Sequence, residues 1–351
     1  MTLKEELEIL RGEPIEIFVG DPMDIPCIET SDPERLCKHP VVSVYMVTFN
    51  HEPYIRRAIE GVMMQKTDFE FELVIGEDCS RDWTREICFE YQKKYPDKIR
   101  ILWWLENVSK LGGNGRRTQA RCRGEFVAFC EGDDYWTDEG KLQKQVGAMR
   151  STNACLCVAN AEWHCPDGSV WRCSHSPRKM MLTLHDVAQN YFHTSTYLVR
   201  RTDIALCAQR HYPSIIYWYD FVQAVCLASI GGVCYLPDFV SVYNWHGNGE
   251  GGGVGSRKRS LLAAVQHVQL AECGPVDLRK YFAKAAVSSV WGKARFELRA
   301  HNWLSFALHL RVILHMGLKL GPSGLFFVAR CALRHMVRGL CSRGRRGKCN
   351  G

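Results

Sequence analysis

The run Glu131-Gly132-Asp133-Asp134-Tyr135-Trp136 puts three carboxylates within four residues. It follows Glu125-Phe126-Val127-Ala128-Phe129-Cys130, which reads as a short buried strand. The acids therefore fall at the carboxyl end of a strand, where ligands of open α/β sheets bind. Like charges at that spacing repel one another and lose hydration when buried. A hard divalent cation with oxygen ligands, Mg²⁺ or Mn²⁺, relieves both costs, and such an ion usually brings a substrate phosphate with it. The competing reading is an acidic turn that caps the next helix.

Two further polar loops share that edge. One is Thr48-Phe49-Asn50, and the other is Gly76-Glu77-Asp78-Cys79-Ser80. Asp78 is suited to accept hydrogen bonds from a base or ribose, while Ser80 reads equally as a helix N-cap. Three polar loops from successive strands, two of them acidic, point to a site for a nucleotide diphosphate.

The elements that must position these loops are legible in the hydrophobic pattern. Val41–Val47 is a nearly continuous apolar run, as a strand buried on both faces requires. Asn50-His51-Glu52-Pro53 is a turn, and Ile55, Ala58, Ile59, Val62 and Met63 then share one helical face. Strands are expected at 71–75, 99–103 and 125–130, with a helix over 82–95 that ends in Lys93 and Lys94, as its dipole favours. This order implies a mostly parallel sheet flanked by helices, with right-handed crossovers. Beyond Trp136 the pattern predicts a helix over 141–150, strands at 155–163 and 169–173 joined at Asp167-Gly168, and a strand at 194–200. It then predicts a helix over 219–230, an extended segment over 233–243 and helices over 276–316. Residues 247–255 hold six glycines in nine positions, a composition suited to a mobile lid. The expected organisation is an extension at 1–40, a nucleotide-binding half at 41–150, a second half of mixed structure at 151–256, and a helical, basic extension at 257–351.

Val42–Ile55 with its Thr-Phe-Asn-His-Glu-Pro centre, Gly76-Glu-Asp-Cys-Ser80, and Glu131–Asp138 with the Lys141-Leu-Gln-Lys-Gln-Val146 continuation together resemble glycosyltransferase family 2. Phe192-His193-Thr194-Ser195-Thr196, Tyr219-Asp220 and Tyr243-Asn-Trp-His-Gly247 follow in the same order, so the resemblance spans about 41–255. It implies a GT-A fold, a nucleotide-sugar donor, Mg²⁺ or Mn²⁺, and inversion at the anomeric carbon. Carried over by position, it implies that Asp78 meets the nucleoside and that Thr48 and Asn50 line the same pocket. Asp133 and Asp134 would meet the ribose and, through metal, the diphosphate. Glu131 takes the first acidic position in place of the commoner Asp, and His246 reaches back to the metal. Asp220 matches the general base. Its neighbours Tyr217, Trp218, Tyr219 and Phe221 would stack on an acceptor sugar, desolvate the acid, or pack as core. His193 is a donor-site or acceptor-site candidate, and one of Arg116, Arg117, Arg121 and Arg123 is a candidate for the diphosphate, the others being solvated.

Such a reaction needs few groups. A metal offsets the leaving diphosphate, and one base takes the acceptor proton as that oxygen attacks. A single base opposite the leaving group gives direct displacement, hence inversion. Cys79 is read as structural rather than nucleophilic. The glycine-rich match Gly247–Gly252 opens no βαβ unit and is not a dinucleotide site. Two alternatives stay open: a sugar nucleotidyltransferase, although Thr48–Pro53 lacks the Gly- and Arg/Lys-rich loop it needs, and a catalytically silent nucleotide-sugar-binding protein.

Composition supports a sizeable core, with 46% apolar residues. The seventeen cysteines show no paired zinc spacing, and Cys155, Cys157, Cys165 and Cys173 read as structural thiols rather than ligands. The charged opening stretch carries no secretory signal, which makes a cytoplasmic, reducing setting the expectation. Residues 301–351 carry nine Lys or Arg and no acid, leaving the other 300 at about −2 of the total +7. The body is therefore unsuited to nucleic acid. Arg311, Lys319 and Arg330 interrupt any apolar span, whereas Arg330, Arg334 and Arg338 share a helical face. That pattern suits docking on an anionic membrane surface, by analogy with lipid-linked saccharide acceptors on the inner face, or a helix packed on the body with a basic end.

Overall fold

The computed structural model describes residues 26–108, 113–173, 180–209, 219–246, 266–271, 274–299 and scattered positions from 307 to 329. The lid expected at 247–255, the aromatic residues 217 and 218, and the basic positions from Arg330 onward lie outside these. The chain forms two compact units, one drawn from 18–210 and 220–252, the other mainly from 253–351.

In the larger unit a single sheet runs through both expected halves. Strands β2 (Val42–Thr48), β3 (Phe71–Glu77), β4 (Ile99–Trp103) and β5 (Phe126–Phe129) are parallel and adjacent in the order β4-β3-β2-β5. All but one residue of β2 and every residue of β3 are buried, as expected of strands rich in apolar residues and covered on both faces. Helix α1 (Ile55–Met63) buries Ile55, Ala58, Ile59 and Val62, the stripe read from the sequence. Helix α2 (Thr84–Lys94) has Trp83 at its N-cap position, and just before it Asp82 Oδ1 accepts the Thr84 N–H at 3.1 Å. Ser80 is thus not the cap; its hydroxyl accepts the Asn50 N–H instead, at 3.0 Å.

The sheet extends on both sides. Strand β1 (Ile28–Thr30), from the segment expected to be an accessory extension, adds antiparallel to β4. On the far side β10 (Leu198–Arg200) joins β5 to β7 (Leu156–His164), antiparallel to both. β11 (Val233–Asn244) runs parallel to β7, and the short β6 (Tyr135–Trp136) and β9 (Met181–Leu182) pair antiparallel with β11. β8 (Val170–Cys173) forms the expected hairpin with β7, with Gly168 at φ +80 in its turn. Helix α4 (Lys141–Thr152) packs Leu142, Val146 and Met149 into the core.

Three expectations are corrected here. The strand expected at 194–200 is a 3₁₀ turn over Thr194–Thr196 followed by only three strand residues. The His193 side chain accepts the Ser195 N–H, and Thr196 Oγ1 donates to the His193 carbonyl, so local side chains outcompete the ladder. Helix α3 (Gly113–Ala120) was not anticipated. It buries Arg117, with the guanidinium over the Trp104 ring, so that arginine is not solvated. Finally, Cys207 and Cys226 form a disulfide between helices α6 (Arg201–Gln209) and α7 (Tyr219–Ile230), whereas Cys155 and Cys157 are the buried free thiols expected.

In the smaller unit, a 3₁₀ turn over Val276–Leu278 leads into helix α8 (Arg279–Arg299), which buries Phe282, Ala286, Val287 and Val290. Among the described residues no helix is long and apolar enough to cross a membrane.

Candidate active site

The loops after β2 and β3 are sewn together by backbone-to-side-chain bonds. Arg81 N–H donates to Asn50 Oδ1 at 2.8 Å, His51 N–H to Thr84 Oγ1 at 2.8 Å, and Glu52 N–H to Asp82 Oδ2 at 3.0 Å. Asn50 and Cys79 sit at φ 54 and 59, left-handed backbone at the carboxyl ends of neighbouring strands. Non-glycine residues are held there only when their surroundings over-determine them, and such residues cluster at functional sites. Asp78 is wholly buried, and its Oδ1 accepts the Val108 N–H at 2.7 Å, which draws the loop after β4 onto the same edge. Cys79 donates its thiol to the Leu105 carbonyl, a structural use.

The acidic loop packs against these two. Gly132 N–H donates to the Val47 carbonyl at 2.9 Å. A Cβ on Gly132 would lie 2.6 Å from Thr48 Oγ1 and 3.0 Å from His51 Nδ1, so glycine is required for this approach. Thr48 is therefore buried beneath the acidic loop.

The four acids named from the sequence occupy distinct settings. Asp133 Oδ2 lies 3.0 Å from His246 Nε2 and 3.6 Å from His51 Nε2. Burial pushes its carboxyl up, but the His246 hydrogen bond and the two imidazoles outweigh burial and hold it below the usual range. Asp134 is turned inward: Oδ1 accepts the Asn244 N–H at 3.1 Å, and Oδ2 faces His193 at 3.7 Å. Burial, then the charges of Asp133 and Glu131, raises Asp134 well above its ordinary value. Glu131 is pushed up to about 7, first by burial and then by Asp133 and Asp220, and its Oε2 is buried with no hydrogen-bond partner. Asp220, in the first turn of α7, accepts the Tyr191 hydroxyl at Oδ2 (2.7 Å) and the Phe221 N–H at Oδ1 (2.8 Å). Burial raises its carboxyl, and those two bonds work against the rise.

Histidines and aromatic rings complete the site. His193 is pushed down to about 4 by burial and is held by Ser195, whose Oγ lies 2.7 Å from Nδ1. Its ring packs on Tyr243 at 4.5 Å, and Trp163 packs on Tyr243 at 5.0 Å. The His246 ring stacks on Tyr54 at 4.6 Å.

Among the described residues no three His, Cys, Asp or Glu side chains are arranged to hold a metal as they stand. The chemistry of the donor set nevertheless fits a hard cation. Glu131 Oε2 and Thr48 Oγ1 are buried oxygens without partners beside Asp133, and neither lysine nor arginine pairs with any of the four acids among the described residues. Of the four arginines among which one diphosphate ligand was expected, Arg123 pairs with Glu72 at 2.6 Å, and Arg121 approaches Glu29 at 3.9 Å.

The structure thus brings Glu131, Asp133, Asp134, Asp220 and His246 together, with Thr48, Asn50 and Asp78 forming the frame beneath. Two residues escaped the sequence reading. His51 read only as part of a turn, and its contact with Asp133 spans 82 positions. Tyr191 lies in no motif, and only the tertiary fold carries it to Asp220.

Comparison with known proteins shows what the chain resembles. Residues 43–208 match the model of glycosyl transferase family 2, a stretch that holds every donor-side candidate except His246 and ends before Asp220. The chain is 31% identical over 224 residues to the uncharacterized protein Rv1520 of Mycobacterium tuberculosis, covering 59% of this chain and 60% of that protein's length. Among solved structures, residues 1–349 of S. aureus TarS with UDP-GlcNAc superpose at TM-score 0.60 and 16% identity, over 81% of this chain and 82% of that one. The mannosyltransferase PcManGT of Pyrobaculum calidifontis, with GDP-Man and Mn²⁺, gives 0.53 and 16%, over 90% and 85%. At such identities the likeness speaks to the fold, which is the GT-A arrangement expected.

Proposed function

From the match of residues 43–208 to the model of glycosyl transferase family 2, we propose that the protein moves a sugar from a nucleotide-diphosphate donor to a hydroxyl of a saccharide or lipid-linked acceptor, with inversion. The observation that carries this reading is the set of four clustered acids beside the carboxyl edge of the parallel strands, none of them paired with a lysine or arginine among the described residues. That TarS was solved with UDP-GlcNAc, and PcManGT with GDP-Man and Mn²⁺, supports a nucleotide-sugar donor and a divalent ion here.

Each acid has a task in this reading. Asp78 and Asn50 keep the nucleoside end of the pocket in shape. Asp133 with Glu131 and His246 would hold Mg²⁺ or Mn²⁺, which when bound supplies positive charge against the leaving diphosphate. Asp134, buried and fixed to the Asn244 N–H, holds the last residue of β11 against the acidic loop and so keeps His246, two residues on, over Asp133. Asp220 takes the proton from the attacking acceptor hydroxyl. Its raised affinity for a proton makes it a better base than an exposed aspartate. The basic segment 301–351 would dock the enzyme on an anionic membrane surface, with each cation near that surface contributing on the order of 1 kcal/mol.

Incubation with a panel of nucleotide sugars and Mn²⁺ tests the proposal. Slow release of free sugar from one donor is expected, with loss of metal-dependent nucleoside diphosphate binding in Asp133→Ala. Binding without turnover of any donor under any acceptor would mean a silent binding protein, and formation of a nucleotide sugar from a sugar phosphate would mean a nucleotidyltransferase. For the tail, vesicles rich in anionic lipid should bind the full chain at low salt and release it at high salt. Salt-independent partitioning would remove that role.

A further inference from the structure

Asp220 is the one acid of the cluster whose two oxygens are both committed. The Phe221 N–H, in its own helix, takes Oδ1 at 2.8 Å, and the Tyr191 hydroxyl takes Oδ2 at 2.7 Å. The first bond follows from the helix turn. The second does not, since Tyr191 lies 29 residues earlier, between the end of helix α5 (Leu184–Gln189) and the His193 cap. Its ring is wedged edge-on between Trp163 and His193, with centroids 6.4 Å from each. A ring clamped on both sides delivers its hydroxyl to one place.

Taking this reading of Asp220 as its premise, we propose that Tyr191 is the positioning residue of the general base: it aims the Asp220 carboxylate at the acceptor hydroxyl and keeps it ionised. A carboxylate has about four lone-pair sites, so two bonds leave room for the incoming proton while removing the freedom to rotate. The charged form is favoured because a hydroxyl can only donate to it in this arrangement. The need is real, for burial drives Asp220 toward its neutral form and Glu131 on the acidic loop repels it. Among the described residues, the titratable groups facing Asp220 are Glu131, Tyr191 and Tyr197, all of which are acids, so none of these offers it a positive charge. Burial and the Asp220 charge together keep the Tyr191 phenol far above its ordinary value, which leaves it a donor at every working pH.

The test is Tyr191→Phe, which keeps the ring and deletes only the hydroxyl. Loss of one hydrogen bond to a charged group should lower kcat roughly ten- to hundredfold. Donor KM and the melting temperature should stay near wild type. The acid limb of the pH–rate profile should move to higher pH, because an undefended carboxylate binds its proton more readily. In the Asp220→Asn background the same change should add nothing. Replacement of Tyr191 by 3,5-difluorotyrosine, a stronger donor, should move the limb the opposite way, and this readout survives if the Phe variant folds poorly. A lowered kcat with an unmoved acid limb in both variants would show that Tyr191 only packs, and would overturn the proposal. Near-normal turnover of Asp220→Asn alone would instead remove the premise, whatever Tyr191 does.

Discussion

The parallel strands carry a buried charge cluster at each end, and the two are built on opposite principles. At the amino end Glu72 is wholly buried, yet every lone pair has a use. Its Oε2 accepts Arg123 Nη2 at 2.6 Å, Arg123 Nε at 2.9 Å and Arg100 Nη1 at 3.3 Å. Its Oε1 accepts the Ser43 hydroxyl at 2.6 Å and the Arg123 N–H at 3.0 Å. Arg100 reaches on to Glu29 and so stitches β1 to the sheet. At the carboxyl end Glu131, Asp133, Asp134 and Asp220 meet only imidazoles, hydroxyls and backbone N–H groups among the described residues. Glu77 shows that this edge can pair an acid when structure demands it, since it is buried against Arg85 and the Ser80 N–H. A buried charge kept without its opposite costs stability, and a fold retains it where a ligand supplies the compensation.

Neutralising one member at each end sharpens the contrast. At the carboxyl end Asp220→Asn should cut sugar transfer by roughly 10²–10⁴-fold with donor affinity and melting little changed. Steady-state rates beside calorimetric donor binding would show it, and preserved turnover would deny that end its chemical role. At the amino end Glu72→Ala should do the reverse. It removes one of the two acids that hold the buried Arg100 and the acid that holds the exposed Arg123, at a cost of up to about 3–5 kcal/mol in urea unfolding. Donor affinity should persist wherever the variant is folded. Unaltered unfolding would mean the network is ornamental, and the comparison would fail from that side.

Much of this could be read before the structure, for reasons that differ by element. Strands β2, β3 and β4 announced themselves because burial on both faces keeps them mostly apolar, with only Ser43, Glu72 and Arg100 breaking the runs before their ends, and α1 because its stripe is unbroken. The acidic loop was legible because its residues are contiguous. What stayed hidden depends on distance along the chain or on local competition. The His193 turn lies inside a strand-like run, and only the side-chain bonds to Ser195 and from Thr196 bend it. Helix α3 has a weak apolar pattern, because it packs through Asn114 and Thr118 against Gly76 rather than through a stripe. Asp134 reads like Asp133 in sequence, and nothing local reveals that one carboxylate turns inward to β11 while the other meets two histidines.

The smallest effect probes the cost of the uncompensated end directly. Glu131 is held up to about 7 in the folded protein, first by burial and then by Asp133 and Asp220, whereas an unfolded glutamate titrates near about 4.3. Between those values the folded state binds a proton that the unfolded state does not, so stability falls as pH rises. The contribution of the protonated acid is complete below about pH 4.3 and is lost as pH passes through about 7. Glu131→Gln carries no charge at any pH and should remove this slope. Measured in chelator, so that no cation offsets the wild-type charge, the variant should be more stable at pH 8 by on the order of 1–3 kcal/mol and nearly equal at pH 4. Metal-dependent binding of a nucleoside diphosphate should weaken in the same variant. A gain in stability joined to a loss of binding is what a charge kept for a ligand must give. A Glu131→Gln protein that melts below wild type at pH 8 would instead place Glu131 with Glu72, among the acids the fold itself requires.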